Sequence, residues 1–198
     1  MALNPSEVQV RAGVEADLPT LTDIYNHYVR ETAVTFDTRV FTPGERRDWL
    51  LSHPQDGPHR LLVAQDSGPA PLSGAPIACP EGAPRILGYA TSSAYRSRPA
   101  YATSVEVSVY LAPGSGGRGI GSRLYEALFA ALEGEDVHRA YAAVASASRP
   151  AGGEGSNTAS LRLHRRFGFR HLGTYREVGR KFGAWWDVDW YEKELGGA

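Results

Sequence analysis

The stretch from Thr103 to Leu132 restricts this chain more than any other. Val105, Val107, Val109 and Leu111 alternate with Glu106, Ser108 and Tyr110, which predicts a strand with one buried face. Pro113-Gly114 ends it, and Gly116-Gly117-Arg118-Gly119-Ile120-Gly121 leads into a helix whose buried stripe is Leu124, Leu128, Phe129, Ala131 and Leu132. A strand that enters a helix through such a turn gathers free backbone N–H groups at the positive end of the helix dipole, and glycine lets an anion come close. The chain therefore offers a place for a phosphate-bearing ligand. A dinucleotide fold is disfavoured, because the turn follows several earlier strands and no early strand-turn-helix unit carries the expected downstream acid.

Residues 7–11 alternate like a first strand, and a helix follows with Leu18, Leu21, Ile24, Tyr25, Tyr28 and Val29 on one face. Thr42-Pro43-Gly44-Glu45 reads as a capping box that starts a second helix through Trp49, Leu50 and Leu51. Leu61–Ala64 and Ile86–Ala90 read as a hairpin with a long Pro-, Gly- and Ser-rich connection. After the glycine-rich turn and its helix come a strand over Arg139–Ala145, a loose segment, a short helix from Asn157 to Arg166 and a last strand over Trp185–Leu195. The expected order is strand, two helices, hairpin and strand, then helix, strand, helix, strand. It predicts an α/β (α+β) fold with a mixed, mostly antiparallel sheet, as a single domain over 1–198 with its core at about 8–195 and loop insertions at 66–85 and 146–156.

The formal net charge of -1 excludes the broad basic surface that nucleic acid or an anionic membrane requires. Of the 21 Lys and Arg, only Lys181 and Lys193 are lysine, so cationic chemistry rests on the planar guanidinium fork. Much of that bias matches the abundance of Ala, Gly and Pro that a GC-rich genome produces. Cys79 is the single cysteine and no Cys and His cluster has ligand spacing, so neither an internal disulfide nor a structural metal is expected. No export signal and no run of ~20 apolar residues is present, which predicts a cytoplasmic protein with no membrane partner.

The run from Glu106 through Leu124, with Asn157 and Phe167-Gly168-Phe169, resembles the GNAT superfamily of N-acetyltransferases. Ile24-Tyr25-Asn26-His27, Thr35-Phe36-Asp37, Val105–Leu111, Leu161-Arg162-Leu163-His164 and Val178–Trp185 look like its phosphinothricin and methionine-sulfoximine acetyltransferase branch. The resemblance implies acetyl-CoA as co-substrate, held in a splay between the strand ending at Leu111 and the strand ending at Ala145. The backbone of Val109, Tyr110 and Leu111 would pair with the pantetheine arm, and the turn from Gly117 through Arg118, Gly119, Ile120 and Gly121 to Ser122 would cradle the pyrophosphate. Asn157 and Ser160 would bond the pantetheine region. The family usually has Gln or Arg at the position of Gly116, so one side-chain contribution to the turn is missing while its main-chain donors remain.

Acetyl transfer to an amine needs a neutral amine, a held carbonyl oxygen and a proton for the leaving thiolate. The resemblance gives Glu106 the part of general base, directly or through water, and gives the carbonyl a main-chain N–H near Val109 or Tyr110. His164 stands where many members carry a tyrosine proton donor; a histidine there serves the thiol or the base, or is a helix residue stacked on an aromatic neighbour. The resemblance also sets Phe36, Arg96, Arg98 and Tyr101 around a small-molecule amine, an amino acid analogue such as phosphinothricin, methionine sulfoximine or methionine sulfone. Arg96 and Arg98 are the natural partners of its carboxylate unless both are solvated loop charges. Other amines (a protein N-terminus, a polyamine, an aminoglycoside) and a non-catalytic acyl-CoA sensor stay open. The aromatic end, Trp185–Tyr191, points to a homodimer or to a monomer whose sheet this strand completes.

Overall fold

The computed structural model describes residues 8–66, 84–147 and 158–196. In chain order the elements are β1 (Val8–Ala12), α1 (Leu18–Glu31), α2 (Arg47–Leu51), β2 (Leu61–Asp66), β3 (Arg85–Ala94), β4 (Ser104–Leu111), α3 (Ile120–Leu132), β5 (Arg139–Ala147), α4 (Thr158–Arg166), β6 (Arg170–Lys181) and β7 (Ala184–Glu194). Seven strands form one sheet in the order β1-β2-β3-β4-β5-β7-β6. Every neighbouring pair is antiparallel except β4 and β5.

That parallel pair sets the architecture of the site. β4 and β5 are in register only from Ser104 to Glu106 against Arg139 to Tyr141. Beyond Glu106 the two strands part, while β3 follows β4 to Leu111 and β7 follows β5 to Ala147. A wedge therefore opens in mid-sheet, bounded by two strands that remain fully supported on their other edges.

Strand alternation distributes β4 between two cores. Val105 and Val107 are buried with Leu87, Leu124 and Leu128 beneath α3. Tyr110 packs on the opposite side, where Leu21 and Ile24 of α1 and Leu50 of α2 cover Leu61, Val63 and Tyr89. The expected capping box is present: the Glu45 carboxylate accepts the Thr42 N–H at 2.8 Å and the Glu45 N–H donates to the Thr42 hydroxyl at 3.3 Å. The first turn it caps is 3-10, over Gly44–Arg46, before α2 begins. At the other end of α1, Asp17 holds Arg11 through contacts of 2.7 and 2.8 Å and accepts the Val14 N–H at 2.9 Å, tying the helix start to β1.

One element corrects the sequence reading. Residues 170–181, expected to be connection, form the long edge strand β6. Its pairing with β7 slips between His171 and Gly173 and again between Tyr175 and Gly179, with Glu177 at φ 50°. Two bulges in one exposed strand erase the period-two pattern by which a strand is recognised. Cys79, the insertion interior and Asn157 lie outside the described residues. Among the described residues, no helix is long and apolar enough to cross a membrane.

Candidate active site

The wedge between β4 and β5 is a groove of about 500 Å³, walled by Val109 and Leu111, by Ala143 to Ala145, and by Ser160, Arg162 and Arg166 of α4. Its floor is the glycine-rich turn, from which Gly117, Gly119, Ile120, Gly121 and Ser122 face the space. Gly117 and Gly119 each have φ 74°, a conformation that side chains resist, so the course of the turn depends on glycine at both positions. The first intrahelical bond of α3 runs from the Arg123 N–H to the Gly119 carbonyl at 3.1 Å, so the amides before it have no partner within the helix. Such a set of donors at a helix start suits a diphosphate. Arg118 departs from the expectation: it is exposed and does not line the groove.

The expected pantetheine ladder also narrows. Ala112 N–H donates to the Leu87 carbonyl across β3 at 2.9 Å. Because backbone groups alternate between the two edges of a strand, those of Tyr110 face β3 and those of Val109 and Leu111 face the wedge. The side chain of Tyr110 lies on the other side of the sheet, stacked on Tyr89 at 5.4 Å, so Tyr110 does not belong to the groove. Leu111 is in turn occupied by a residue that the sequence reading left in the core: the Tyr28 hydroxyl donates to the Leu111 carbonyl at 2.8 Å and accepts its N–H at 3.2 Å. Of the three expected positions, Val109 is the one that faces the wedge without such a partner among the described residues. Arg162 and Arg166 are further additions, two guanidinium groups one helical turn apart that can face phosphate.

Glu106 stands where the wedge begins, half-buried on β4. Burial raises its pKa above the ordinary 4.5, and the nearby Arg96 cation opposes that rise. Arg96 lies 4.3 Å over the Tyr95 ring and 5.6 Å over Trp190. Tyr95 in turn stacks on Tyr141, the partner of Glu106 on β5, at 4.4 Å and meets Tyr101 edge-on at 5.8 Å. Glu106, Arg96 and Tyr101 thus belong to one aromatic-walled cluster. Arg98 is exposed at the start of the short 3-10 turn that carries Tyr101. Phe36 lies elsewhere, on the loop after α1 and hard against Gly179 of β6, in a space where a Cβ on that glycine would meet the ring at 2.3 Å. The loop is also tied to the β6–β7 hairpin by Lys181, whose ammonium donates to the Thr35 carbonyl at 2.7 Å.

A second cavity, of about 290 Å³, opens on the face of the sheet that carries Glu106. Ser93, which pairs with Glu106, lines it together with Thr91, Ser108, Tyr110, Asp37 and Arg46. Glu106 itself lines neither cavity; it pairs with Ser93 of β3 in the polar hollow and stands three residues before Val109, which lines the groove.

His164 lines neither cavity. It is 4% exposed, with its Nδ1 2.7 Å from the Ser160 carbonyl and its Nε2 3.0 Å from the Tyr125 hydroxyl. The carbonyl can only accept, so Nδ1 carries the proton and Nε2 accepts from the phenol. Rings of Phe169 and Tyr191 close around it, and burial pushes its pKa down, keeping it neutral. With both nitrogens engaged in the α3–α4 core, its surroundings match the second of its two expected readings, a helix residue stacked on aromatic neighbours.

Residues 75–190 match the family described as the acetyltransferase (GNAT) domain. A phosphinothricin N-acetyltransferase of Streptomyces coelicolor is 63% identical over 96% of this chain and 98% of its own. An L-methionine sulfoximine/L-methionine sulfone acetyltransferase of Pseudomonas aeruginosa is 32% identical over 93% of this chain and 92% of its own. Among solved structures, a phosphinothricin acetyltransferase of Sinorhizobium meliloti in complex with acetyl-CoA superposes with a TM-score of 0.77 at 27% identity, covering 96% of this chain and 89% of that one.

Proposed function

The chain belongs to the GNAT family of acetyl-CoA-dependent acetyltransferases, and from that premise we propose that its acceptor is the α-amino group of a small amino acid analogue of the phosphinothricin and methionine sulfoximine kind. The observation that carries this reading is the position of Glu106, the last residue of β4 paired with β5 before the wedge and the partner on β3 of Ser93, which lines the second cavity. A carboxylate there takes a proton from the bound ammonium, directly or through one water. The freed amine attacks the acetyl carbon; the C–N bond forms, the attacking nitrogen gives up its second proton to solvent, the C–S bond breaks, and the thiolate takes up a proton from Glu106 or solvent. The Val109 N–H is the donor we assign to the thioester oxygen, since it faces the wedge and no strand covers it. The amides of Gly117 to Ser122 hold the diphosphate, with Ser160, Arg162 and Arg166 on the α4 side. Arg96 takes the acceptor carboxylate.

Kinship supports the substrate class, and the aromatic cluster around Arg96 supports a small zwitterion over a nucleic acid or membrane surface. A cytoplasmic homodimer is the assembly we propose, supported by exposed apolar residues along β6 and β7. The test is release of CoA thiol from acetyl-CoA with phosphinothricin, methionine sulfoximine, methionine sulfone, a polyamine and a peptide with N-terminal alanine. Turnover confined to the amino acid analogues is expected. Turnover on the peptide or polyamine alone would replace this substrate class with another amine.

A further inference from the structure

Arg46 is one of the most enclosed charges in the molecule, 6% exposed between α1 and α2. Its guanidinium lies 3.8 Å over the Trp49 ring and 4.4 Å over Tyr25, which fixes its plane. One N–H donates to the Leu21 carbonyl at 3.1 Å. Among the described residues, no carboxylate approaches it within ion-pair distance. Two acids share its cavity, and both are already held: Asp37 accepts from the Tyr25 hydroxyl at 2.5 Å, and Glu45 is occupied by Arg39 and Thr42. Beside it the Tyr89 hydroxyl is buried without a hydrogen bond of good geometry, although Arg46 is close enough to oppose the rise that burial imposes on the phenol's pKa.

A cation enclosed without a counter-charge is costly unless something supplies the missing oxygens. Here the open side of the guanidinium is the cavity itself, whose walls carry the hydroxyls of Thr91, Ser93 and Ser108. Ser108 is two residues beyond Glu106 on the same strand face, ~6.8 Å along β4. A side chain with two methylenes and a tetrahedral head, its amino group at Glu106, thus reaches the level of Ser108, in the cavity that Arg46 also lines.

On the reading that the acceptor is an amino acid analogue, we infer that Arg46 determines specificity by holding the phosphinyl or sulfonyl oxygens at the far end of the acceptor side chain. Arg96 and Arg46 then divide the acceptor between them, the first at its carboxylate and the second at its head. A planar fork donates to two oxygens of a tetrahedral centre at once, which a lysine ammonium does not.

The test compares wild type, Arg46→Lys and Arg46→Met on phosphinothricin, methionine sulfone and methionine, the last sharing the chain but lacking head oxygens. KM and kcat are measured for each acceptor and for acetyl-CoA, with thermal midpoints of the free proteins. Wild type is expected to prefer the two oxygen-bearing acceptors. Arg46→Met raises their KM by roughly 10- to 100-fold, the range for one charged hydrogen-bond set, and leaves the KM values of methionine and acetyl-CoA within about 3-fold. Arg46→Lys falls between, and it carries the comparison if the Met variant does not fold. Equal losses on all three acceptors, or no wild-type preference for head oxygens, would make Arg46 a packing residue and overturn the inference. Wild-type turnover on none of these acceptors, with turnover on another amine, would instead remove the substrate reading on which it rests.

Discussion

Glu106 shows how one residue's surroundings set its chemistry. Burial favours the protonated carboxyl, so its pKa is raised and the base becomes competent only at higher pH, while Arg96 limits the rise. Two consequences follow with a definite sign. Turnover at subsaturating acceptor falls as pH drops through the raised pKa, because the ionised form is lost. Stability behaves oppositely: with the folded pKa above the ordinary 4.5, the folded state binds the proton better, so this contribution is complete below 4.5 and is lost as pH rises through the folded value. Glu106→Gln should therefore lower kcat by about 10²- to 10⁴-fold and raise the thermal midpoint at neutral pH, with the gain vanishing near pH 4. Kinetics and calorimetry at the two pH values measure both; a variant less stable than wild type at neutral pH would show that Glu106 is a structural acid. The part of Glu106 as a base rests on the family resemblance, while its place on β4 was legible in the sequence because its alternating neighbours are local. Tyr28 was not, since its bond to Leu111 joins residues 83 apart, nor was His164, whose burial depends on where α4 lands against Tyr125.

At the scale of elements, local signals and long-range ones separate in the same way. The β4–turn–α3 unit is written in consecutive residues: alternating valines, glycines at φ 74° and an apolar stripe at helical spacing. The wedge follows from a parallel pair flanked by two antiparallel ones, an arrangement that the family resemblance supplied and periodicity alone could not. β6 escaped because its bulges and exposure remove the alternation. Yet β6 is the strand against which the loop after α1 is seated, through Phe36 on Gly179 and Lys181 on the Thr35 carbonyl. Gly179→Ala tests that seat. Gly179 does not have a left-handed φ, so alanine is tolerated by the backbone, but its methyl would enter the space of the Phe36 ring. The ring is one-third exposed and can swing outward, so stability should change by no more than about 1 kcal/mol. Phe36 lines neither cavity but adjoins Asp37, which lines the second, so acceptor KM should rise several-fold with the KM of acetyl-CoA unchanged. A rise in both KM values would mean that the loop supports the whole site.

At the scale of the whole molecule, the proposed homodimer rests on the outer strands. β6 is a twelve-residue edge strand, and an uncovered edge of that length invites pairing. Along it and at the start of β7, Tyr175, Val178, Phe182 and Trp185 are each more than half exposed. Singly exposed apolar residues are ordinary, but four large ones on one hairpin mark a contact surface, and large aromatics are enriched in such surfaces. A second copy of this chain fits the need, since one patch can serve both partners of a two-fold dimer. Sedimentation velocity at micromolar protein should therefore give the mass of a dimer, and Val178→Asp should shift it towards monomer by burying an unpaired charge at the contact. A wild-type monomer at that concentration would end the proposal. The kinetic consequence links this scale to the previous one. Freed from its partner, the hairpin loses support on its outer face while still carrying Gly179 and Lys181, so the seat of Phe36 loosens. The monomeric variant should accordingly show a raised acceptor KM and an unchanged KM for acetyl-CoA, the same signature as Gly179→Ala, produced without touching either residue of that contact.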